Sequence, residues 1–175
     1  MPTETNPTLS ILEQAIKVEL EGLDFYGRAE ERTGNAVGRA FFRSLVGDEK
    51  EHERILRAEY EKVKAGAGWV AAPAARSVEF PELRLFPKGR KLNIPADATD
   101  LDVIQIAIRF ERRGHDMYVR AAAAIDDMTG KSVYKYLAEW ENRHRELLQK
   151  ALDQLSADGT WLLLDHEKPL LDGGA

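Results

Sequence analysis

The stretch Glu49-Lys50-Glu51-His52 has a counterpart 92 residues later, Glu141-Asn142-Arg143-His144. In both stretches a glutamate stands three residues before a histidine, inside a segment whose apolar residues recur at helical spacing. Residues three apart lie on the same face of an α-helix, so each stretch directs a carboxylate and an imidazole the same way. This spacing supplies metal ligands from the interior of helix bundles. The two stretches therefore predict part of a metal site.

The remaining ligands are predicted by the same offset of 92 in the segments that precede both stretches. The matched pairs there are Glu19 with Glu111, Gly22 with Gly114, and Tyr26 with Tyr118. A single offset that relates glutamates, glycines, tyrosines and both Glu-x-x-His stretches indicates a duplicated helical hairpin.

The spacing about the turns predicts that the four glutamates meet. Glu19 lies fifteen residues before Gly34, and Glu49 lies fifteen residues after it. In an antiparallel hairpin both carboxylates would then lie at the same height, about 22 Å from the turn. The second hairpin has the same spacing about Asp126. All four carboxylates can thus meet in the middle of one bundle.

Each of these glutamates lies in the apolar stripe of its helix; the neighbours of Glu19, for example, include Leu12, Ile16 and Leu23. Four buried carboxylates would repel one another and cost several kcal/mol each unless cations pair with them. Arg145 is the only lysine or arginine near these stripes, and one arginine cannot balance four carboxylates. Metal ions are the natural counter-charge. The predicted ligands are Glu19, Glu49, His52, Glu111, Glu141 and His144.

The paired tyrosines and glycines each allow two interpretations. Tyr26 and Tyr118 are either core aromatics or phenols that hydrogen-bond to a ligating carboxylate, and the two roles are compatible. Gly22 and Gly114 each cost about 1 kcal/mol relative to alanine in a helix interior. They provide either space for a metal, O2 or peroxide, or a close approach of two helices.

Two further residues near the stripes are predicted to lie outside the ligand set. His115, four residues after Glu111, is expected at the rim or in the core. Trp140 adjoins Glu141 but points about 100° away around the helix, so we expect it to be a packing residue.

The chain is predicted to be all-α, a single domain over residues 1–175 that forms an antiparallel four-helix bundle of two repeated hairpins. The segment before the third helix is rich in proline, which excludes a long helix there; a connection along the length of the bundle explains such a long loop. An apolar stretch from Trp161 is expected to pack on the bundle or on a partner. The predicted helices cover residues 8–33, 36–65, 100–125 and 131–156, with a turn at 126–130, a crossover at 66–99 and a C-terminal tail at 157–175.

Composition excludes several classes of function. The 175 residues include no cysteine, which excludes disulfides and cysteine-held iron–sulfur clusters. The net charge of −5, without a basic run, argues against nucleic acid and against a polybasic membrane surface. No apolar run approaches the roughly 18 residues of a membrane helix, and no signal peptide is evident at the N-terminus. We therefore predict a cytoplasmic protein.

The two Glu-x-x-Gly-x-x-x-Tyr segments, Glu19–Tyr26 and Glu111–Tyr118, together with the two Glu-x-x-His stretches, resemble the ferritin-like superfamily and in particular its rubrerythrin-like branch. The resemblance covers residues 8–156 and implies a four-helix bundle with a long crossover between the second and third helices. It also implies two iron ions, with Mn or Zn as substitutes. Glu19 and Glu111 then resemble terminal ligands, Glu49 and Glu141 bridging ligands, and His52 and His144 one imidazole per iron.

This chain departs from rubrerythrins in two respects. Rubrerythrins carry a rubredoxin-type domain with four cysteines, which are absent here, so the resemblance implies an external electron donor such as a rubredoxin-like protein or a flavoprotein. Rubrerythrins also have a further glutamate where this chain has Gly114. The six-ligand set is therefore closer to the symmetric arrangement of ferritin or bacterioferritin.

Four functions remain open at this point. The first is a di-iron oxidoreductase that reacts with O2 or H2O2 in a rubrerythrin-like oxidative-stress role, and a homodimer is expected. The second is ferroxidase activity with iron storage, which needs a closed shell of subunits. The third is hydroxylation of an organic substrate, and the fourth is a purely structural bundle that binds no metal.

Overall fold

Four α-helices account for most of the computed structural model, which describes residues 7–67 and 92–164. The helices are α1 Pro7–Arg32, α2 Ala36–Lys64, α3 Asp100–Ala124 and α4 Met128–Asp158, with no β-strand among the described residues. Helices α1 and α2 pack closely as one hairpin, α3 and α4 pack as the other, and the hairpins meet along α1 and α3. The predicted all-α four-helix bundle is confirmed. Most of the predicted crossover, residues 68–91, lies outside the described residues.

Short connections and side-chain caps set the helix ends. The Asn35 side chain accepts hydrogen bonds from Val37 N and Gly38 N in the first turn of α2, and Thr99 forms a reciprocal capping box with Asp102 at the start of α3. The predicted start of α4 was wrong by three residues: Asp127 caps it by accepting a hydrogen bond from Gly130 N at 2.9 Å. Gly130 therefore belongs to the first turn of α4 and not to the loop.

The described end of the crossover and the described start of the C-terminal tail both contact the bundle. The Arg28 guanidinium donates to the Leu92 carbonyl at 2.6 Å, and Arg32 donates to the Ala96 carbonyl at 2.9 Å, so the end of the crossover follows α1. Trp161, just after α4, is buried against Phe41 and Phe42 with ring centroids 5.7 Å and 5.4 Å away. The expected packing of the tail thus holds for Trp161. Residues 165–175 lie outside the described part of the chain.

The inward faces of the four helices form one apolar core, and the metal-site candidates interrupt it at mid-height. Aromatic side chains such as Phe25, Tyr26 and Phe42 lie on one side of these polar residues, and Leu56 lies further along α2. Burial of this apolar surface stabilises the bundle enough to hold polar groups within it. None of the helices in residues 7–67 and 92–164 has the length and apolar character needed to cross a membrane.

Candidate metal centre

The structure brings all six predicted ligand side chains together inside the bundle. Each is at most 2 % exposed, and each helix contributes at least one carboxylate. The heights agree because Glu19 and Glu49 are equidistant from the first turn, and Glu111 and Glu141 are equidistant from the second. The repeated sequence spacing therefore produces a single polar cluster.

The six side chains form two groups that share two carboxylates. One group is Glu19, Glu49, His52 and Glu141, and the other is Glu49, Glu111, Glu141 and His144. Within each group the candidate ligand atoms all lie within 4.8 Å of one another. Glu49 and Glu141 belong to both groups, which is the arrangement expected of carboxylates that bridge two metal ions.

The histidines face the carboxylates through the same ring nitrogen. His52 Nδ1 lies 3.4 Å from Glu19 Oε2 and 3.8 Å from Glu49 Oε2. His144 Nδ1 lies 3.6 Å from Glu111 Oε2 and 3.9 Å from Glu49 Oε1. The two imidazole rings stack with centroids 5.6 Å apart. Each group thus combines carboxylate oxygens with one nitrogen lone pair.

The donor set fits divalent metal ions because its inward atoms lack hydrogen-bond partners. Among the described residues no lysine or arginine forms an ion pair with the four carboxylates. Buried polar atoms are nearly always satisfied, so a converging set of unpartnered oxygens and nitrogens indicates a missing ligand. The unpartnered atoms are Glu19 Oε2, Glu49 Oε1, His52 Nδ1, Glu111 Oε2, both Glu141 carboxylate oxygens and His144 Nδ1.

The four carboxyl groups differ in pKa. Burial, followed by the charge of a neighbouring glutamate, raises the pKa of Glu49 and of Glu141 well above the usual value. Burial also acts to raise the pKa of Glu19 and of Glu111, but hydrogen bonds and the nearby imidazoles outweigh it and leave both values lowered. Without metal, the shared carboxyls hold protons where the cations would bind.

His144 is held in its charged form by its neighbours. Burial alone would lower the pKa of His144, but the charge of Glu111 and the hydrogen bond with Asp48 raise it to about 10. A metal ion that binds at Nδ1 must displace this proton.

These shifts predict an unusual pH dependence of stability for the metal-free protein. Raised folded-state pKa values for Glu49, Glu141 and His144 mean that the folded chain binds more protons than the unfolded chain above about pH 4.5. The free energy of unfolding should therefore fall as pH rises from about 5 to about 8. The lowered pKa values of Glu19 and Glu111 act the other way only below that window.

Thermal unfolding with a chelator present, followed by circular dichroism, measures this slope. Added Mn(II) should reverse it, because metal binding releases protons and strengthens as pH rises. Glu141→Gln should flatten the slope of the metal-free protein. A melting temperature of the metal-free wild type that rises steadily from pH 5 to pH 8 would contradict the expectation.

The two tyrosines hydrogen-bond to candidate ligand carboxylates of the opposite hairpin. The Tyr26 hydroxyl on α1 donates to Glu111 Oε1 on α3, and the Tyr118 hydroxyl on α3 donates to Glu19 Oε1 on α1. Burial, followed by the charge of the bonded glutamate, raises both phenol pKa values well above the usual value, so both remain donors. The sequence indicated such hydrogen bonds but not this crossed pairing.

Tyr26→Phe and Tyr118→Phe should each weaken metal binding by about 10–100-fold, because partners that orient a ligand are worth that much. Each should also lower the free energy of unfolding by about 1–3 kcal/mol, since a buried carboxylate oxygen loses its donor. Calorimetric metal titration and thermal unfolding measure the two effects. Tyr134→Phe, at a buried tyrosine whose ring stacks on Tyr118, provides the control. Affinity unchanged by either substitution would rule out the orienting role.

The paired glycines make room for the shared carboxylates. A Cβ atom added at Gly22 would lie 3.0 Å from Glu49 Cδ, and one added at Gly114 would lie 3.0 Å from Glu141 Cδ and collide with its Oε2. In each hairpin the glycine on the first helix thus accommodates the carboxylate from the second. The sequence left open whether these glycines provide space or close packing; in the structure the space beside them is occupied by the Glu49 and Glu141 carboxylates.

Asp48, to which the sequence assigned no role, and Trp140, which was predicted to be a packing residue, both contact the imidazoles of the site. His144 Nε2 lies 3.2 Å from Asp48 Oδ2. The Trp140 ring packs edge-on against both imidazoles, with centroids 5.7 Å from His52 and 5.8 Å from His144. The only available signal was their position, each directly before a Glu-x-x-His stretch.

His115 does not join the cluster. Its side chain is 36 % exposed and lies 3.2 Å from Asp116. This agrees with the predicted position outside the ligand set, at the rim.

Comparison with known proteins identifies the family. Residues 8–154 match the model of the ferritin-like domain. The chain therefore belongs to the ferritin-like domain family. A search of curated proteins found no match.

Three solved structures have a similar fold. A hypothetical protein from Pyrococcus furiosus shares 21 % identity, with 85 % of this chain and 90 % of that chain covered and a TM-score of 0.63. A protein from Thermotoga maritima, described as a putative ferritin-like diiron-carboxylate protein, shares 20 % identity over 84 % of this chain and 95 % of that chain, with a TM-score of 0.60. A two-domain protein from Anabaena variabilis, with DJ-1/ThiJ/PfpI-like and ferritin-like domains, shares 15 % identity; the match covers 96 % of this chain and 41 % of that one, with a TM-score of 0.61.

Proposed function

We propose that the protein is a non-haem di-iron oxidoreductase that reduces hydrogen peroxide or O2. The observation that carries the proposal is the pair of buried ligand groups that share Glu49 and Glu141. A donor set rich in oxygen with one imidazole per group suits Fe or Mn, and Zn is a substitute for either. Ferritin-like folding alone would not support this function, because function depends on the site and not on the fold.

The chain's own residues bind the ions, fix the ligand orientation and exclude water. Tyr26 and Tyr118 each hold one carboxylate oxygen of Glu111 and Glu19 in place, which leaves the other oxygen directed into the cluster. The surrounding core, with Leu45, Leu137 and Ile104 fully buried, keeps the site dry. A dry, rigid site strengthens electrostatic interactions and prevents side reactions.

Bound iron would supply the redox chemistry at this site. In the proposed reaction H2O2 accepts two electrons and two protons, its O–O bond breaks, and two water molecules leave. An external donor then returns two electrons. Because the chain has no cysteine, we propose that this donor is a separate protein, either rubredoxin-like or a flavoprotein.

Stopped-flow absorbance tests the proposal directly. Fe(II)-loaded protein mixed with H2O2 or with O2 should be oxidised much faster than free Fe(II) under the same conditions. Glu141→Gln should lose this acceleration, while Glu139→Gln, the same change at an exposed position two residues away, should keep it. Wild-type oxidation at the rate of free Fe(II) with both oxidants would exclude the function.

Ferroxidase activity with iron storage is the second candidate, and one observation favours it. At Gly114, where rubrerythrins carry a further glutamate, the Glu141 carboxylate fills the available space, so the site keeps the six-ligand set of ferritins. Storage requires a closed shell of many subunits, whereas we propose a homodimer in the cytoplasm. Light scattering of the purified protein separates the two, since a dimer cannot enclose an iron core.

A further inference from the structure

The two halves of the site differ at the matched positions 48 and 140, which are separated by the repeat offset of 92. The ligands themselves match between the hairpins, as do the tyrosines and the glycines. Position 48 holds an aspartate, whereas position 140 holds a tryptophan. The Asp48 carboxylate lies against His144, and the Trp140 ring lies against both imidazoles, so the difference reaches the site.

The difference gives the two histidines different partners. His144 Nε2 lies 3.2 Å from Asp48 Oδ2, while its Nδ1 faces Glu49 and Glu111. In the described part of the chain, no carboxylate lies within 4.0 Å of His52 Nε2, and its ring packs instead against Trp140. Among the residues that the structure describes, a carboxylate on the side opposite the cluster therefore contacts His144 and not His52.

A carboxylate on the outer nitrogen affects a ligating imidazole in two ways. It holds the proton on Nε2, so that the lone pair of Nδ1 faces the metal, and it makes that lone pair more basic. Such partners are worth about 10–100-fold in metal affinity. Asp48 also places a negative charge near one metal position, and its side chain is only 24 % exposed, so solvent screens that charge incompletely.

We propose that the two metal positions are unequal and fill in order. The position formed by Glu49, Glu111, Glu141 and His144 binds a divalent ion first. The position formed by Glu19, Glu49, His52 and Glu141 binds the second ion more weakly. Asp48 is the positioning residue that sets the order. This rests on the proposed di-metal site but not on its reaction with O2 or peroxide, and it allows a one-metal state or a pair of different metals.

Titration of the metal-free protein with Mn(II), which needs no redox step, tests the order. Electron paramagnetic resonance distinguishes a single bound Mn(II) from a coupled pair. At one equivalent the wild type should show mainly the single-ion signal, and the coupled signal should grow with the second equivalent. Anomalous scattering from crystals grown at one equivalent should place the ion beside His144 and not beside His52.

Asp48→Asn removes the charge but retains an acceptor, and Asp48→Ala removes both. The first-stage affinity should fall about 10-fold in the former and up to about 100-fold in the latter, with a smaller change in the second stage. Glu51→Gln, on the same helix with an exposed side chain, removes one charge and should change neither stage. An Asp48 role that is merely structural would weaken both stages equally.

Three results would overturn the proposal: coupled pairs that dominate the wild type at one equivalent, an ion beside His52 at one equivalent, or an Asp48→Ala titration identical to the wild type. Loss of peroxide reactivity with stepwise Mn(II) binding intact would contradict only the proposed function. No Mn(II) binding at all would contradict both.

Discussion

Replacement of Gly114 by alanine is expected to leave the fold intact and to weaken metal binding at both positions. The added Cβ atom would occupy the space of the Glu141 carboxylate. That carboxylate is the end of a flexible side chain, so it can move away at little cost to the metal-free protein. Alanine also favours the helix by about 1 kcal/mol over glycine. The melting temperature without metal should thus be unchanged or slightly higher.

The loss of metal affinity should exceed about 10-fold, because the displaced carboxylate belongs to both ligand groups and even an indirect disturbance of a ligand is worth that much. Gly22→Ala should have a smaller effect, since its nearest contact with Glu49 is 3.0 Å. Gly27→Ala is the matched control, as no atom lies within 4 Å of its added Cβ, and it should stabilise α1 by about 0.5–1 kcal/mol. Calorimetric titration and thermal unfolding, each with and without metal, measure these effects. Equal affinity of Gly114→Ala and wild type would show that the Glu141 carboxylate does not bind metal.

Replacement of single carboxylates is expected to distinguish shared from unshared ligands. Glu141→Gln should weaken both metal positions by more than about 100-fold, because a ligand contributes at least as much as the partners that orient it. Glu19→Gln should affect only the position that includes His52, since Glu19 occurs in one group. Glutamine preserves the shape of the side chain, so the metal-free fold should persist in both variants.

Metal-induced stabilisation provides an independent measure of the same difference. A ligand at 100 times its dissociation constant stabilises a folded protein by about 2.7 kcal/mol per site. Metal should therefore stabilise the wild type by two such increments and Glu19→Gln by one. It should not stabilise Glu141→Gln appreciably. Glu139→Gln should behave as the wild type. A bundle with a purely structural role would show no loss of metal in any of these variants.

The sequence predicted the cluster of candidate ligands because the same spacing of glutamates and histidines occurs in both hairpins. Equal spacing about two turns, together with helical periodicity, fixes both the height and the face of each carboxylate. The three-dimensional arrangement of the hairpins is not encoded in that way. Whether Tyr26 bonds to a carboxylate of its own hairpin or of the other depends on how the hairpins face each other, and only the structure shows that it bonds to Glu111.

Contacts between side chains of different helices could also not be predicted from the sequence. Trp140 points away from Glu141 around its own helix, but the neighbouring helix brings His52 against its ring. No role at the site was predicted for Asp48, because an aspartate on a helix with many charged residues is ordinarily exposed to solvent. The predicted start of α4 is wrong for a local reason: glycine ordinarily indicates a turn, whereas the Asp127 cap allows Gly130 in the first helical turn.

The crossed tyrosine contacts have the geometry of a two-fold symmetric dimer. If each hairpin were a separate chain, Tyr26 bonding to Glu111 and Tyr118 bonding to Glu19 would be one contact made twice, as in any isologous interface. Two identical hairpins could not place aspartate on one side of the centre and tryptophan on the other. Covalent linkage of the halves removes that constraint. Asp48 and Trp140 therefore mark a point at which the two similar hairpins depart from two-fold symmetry.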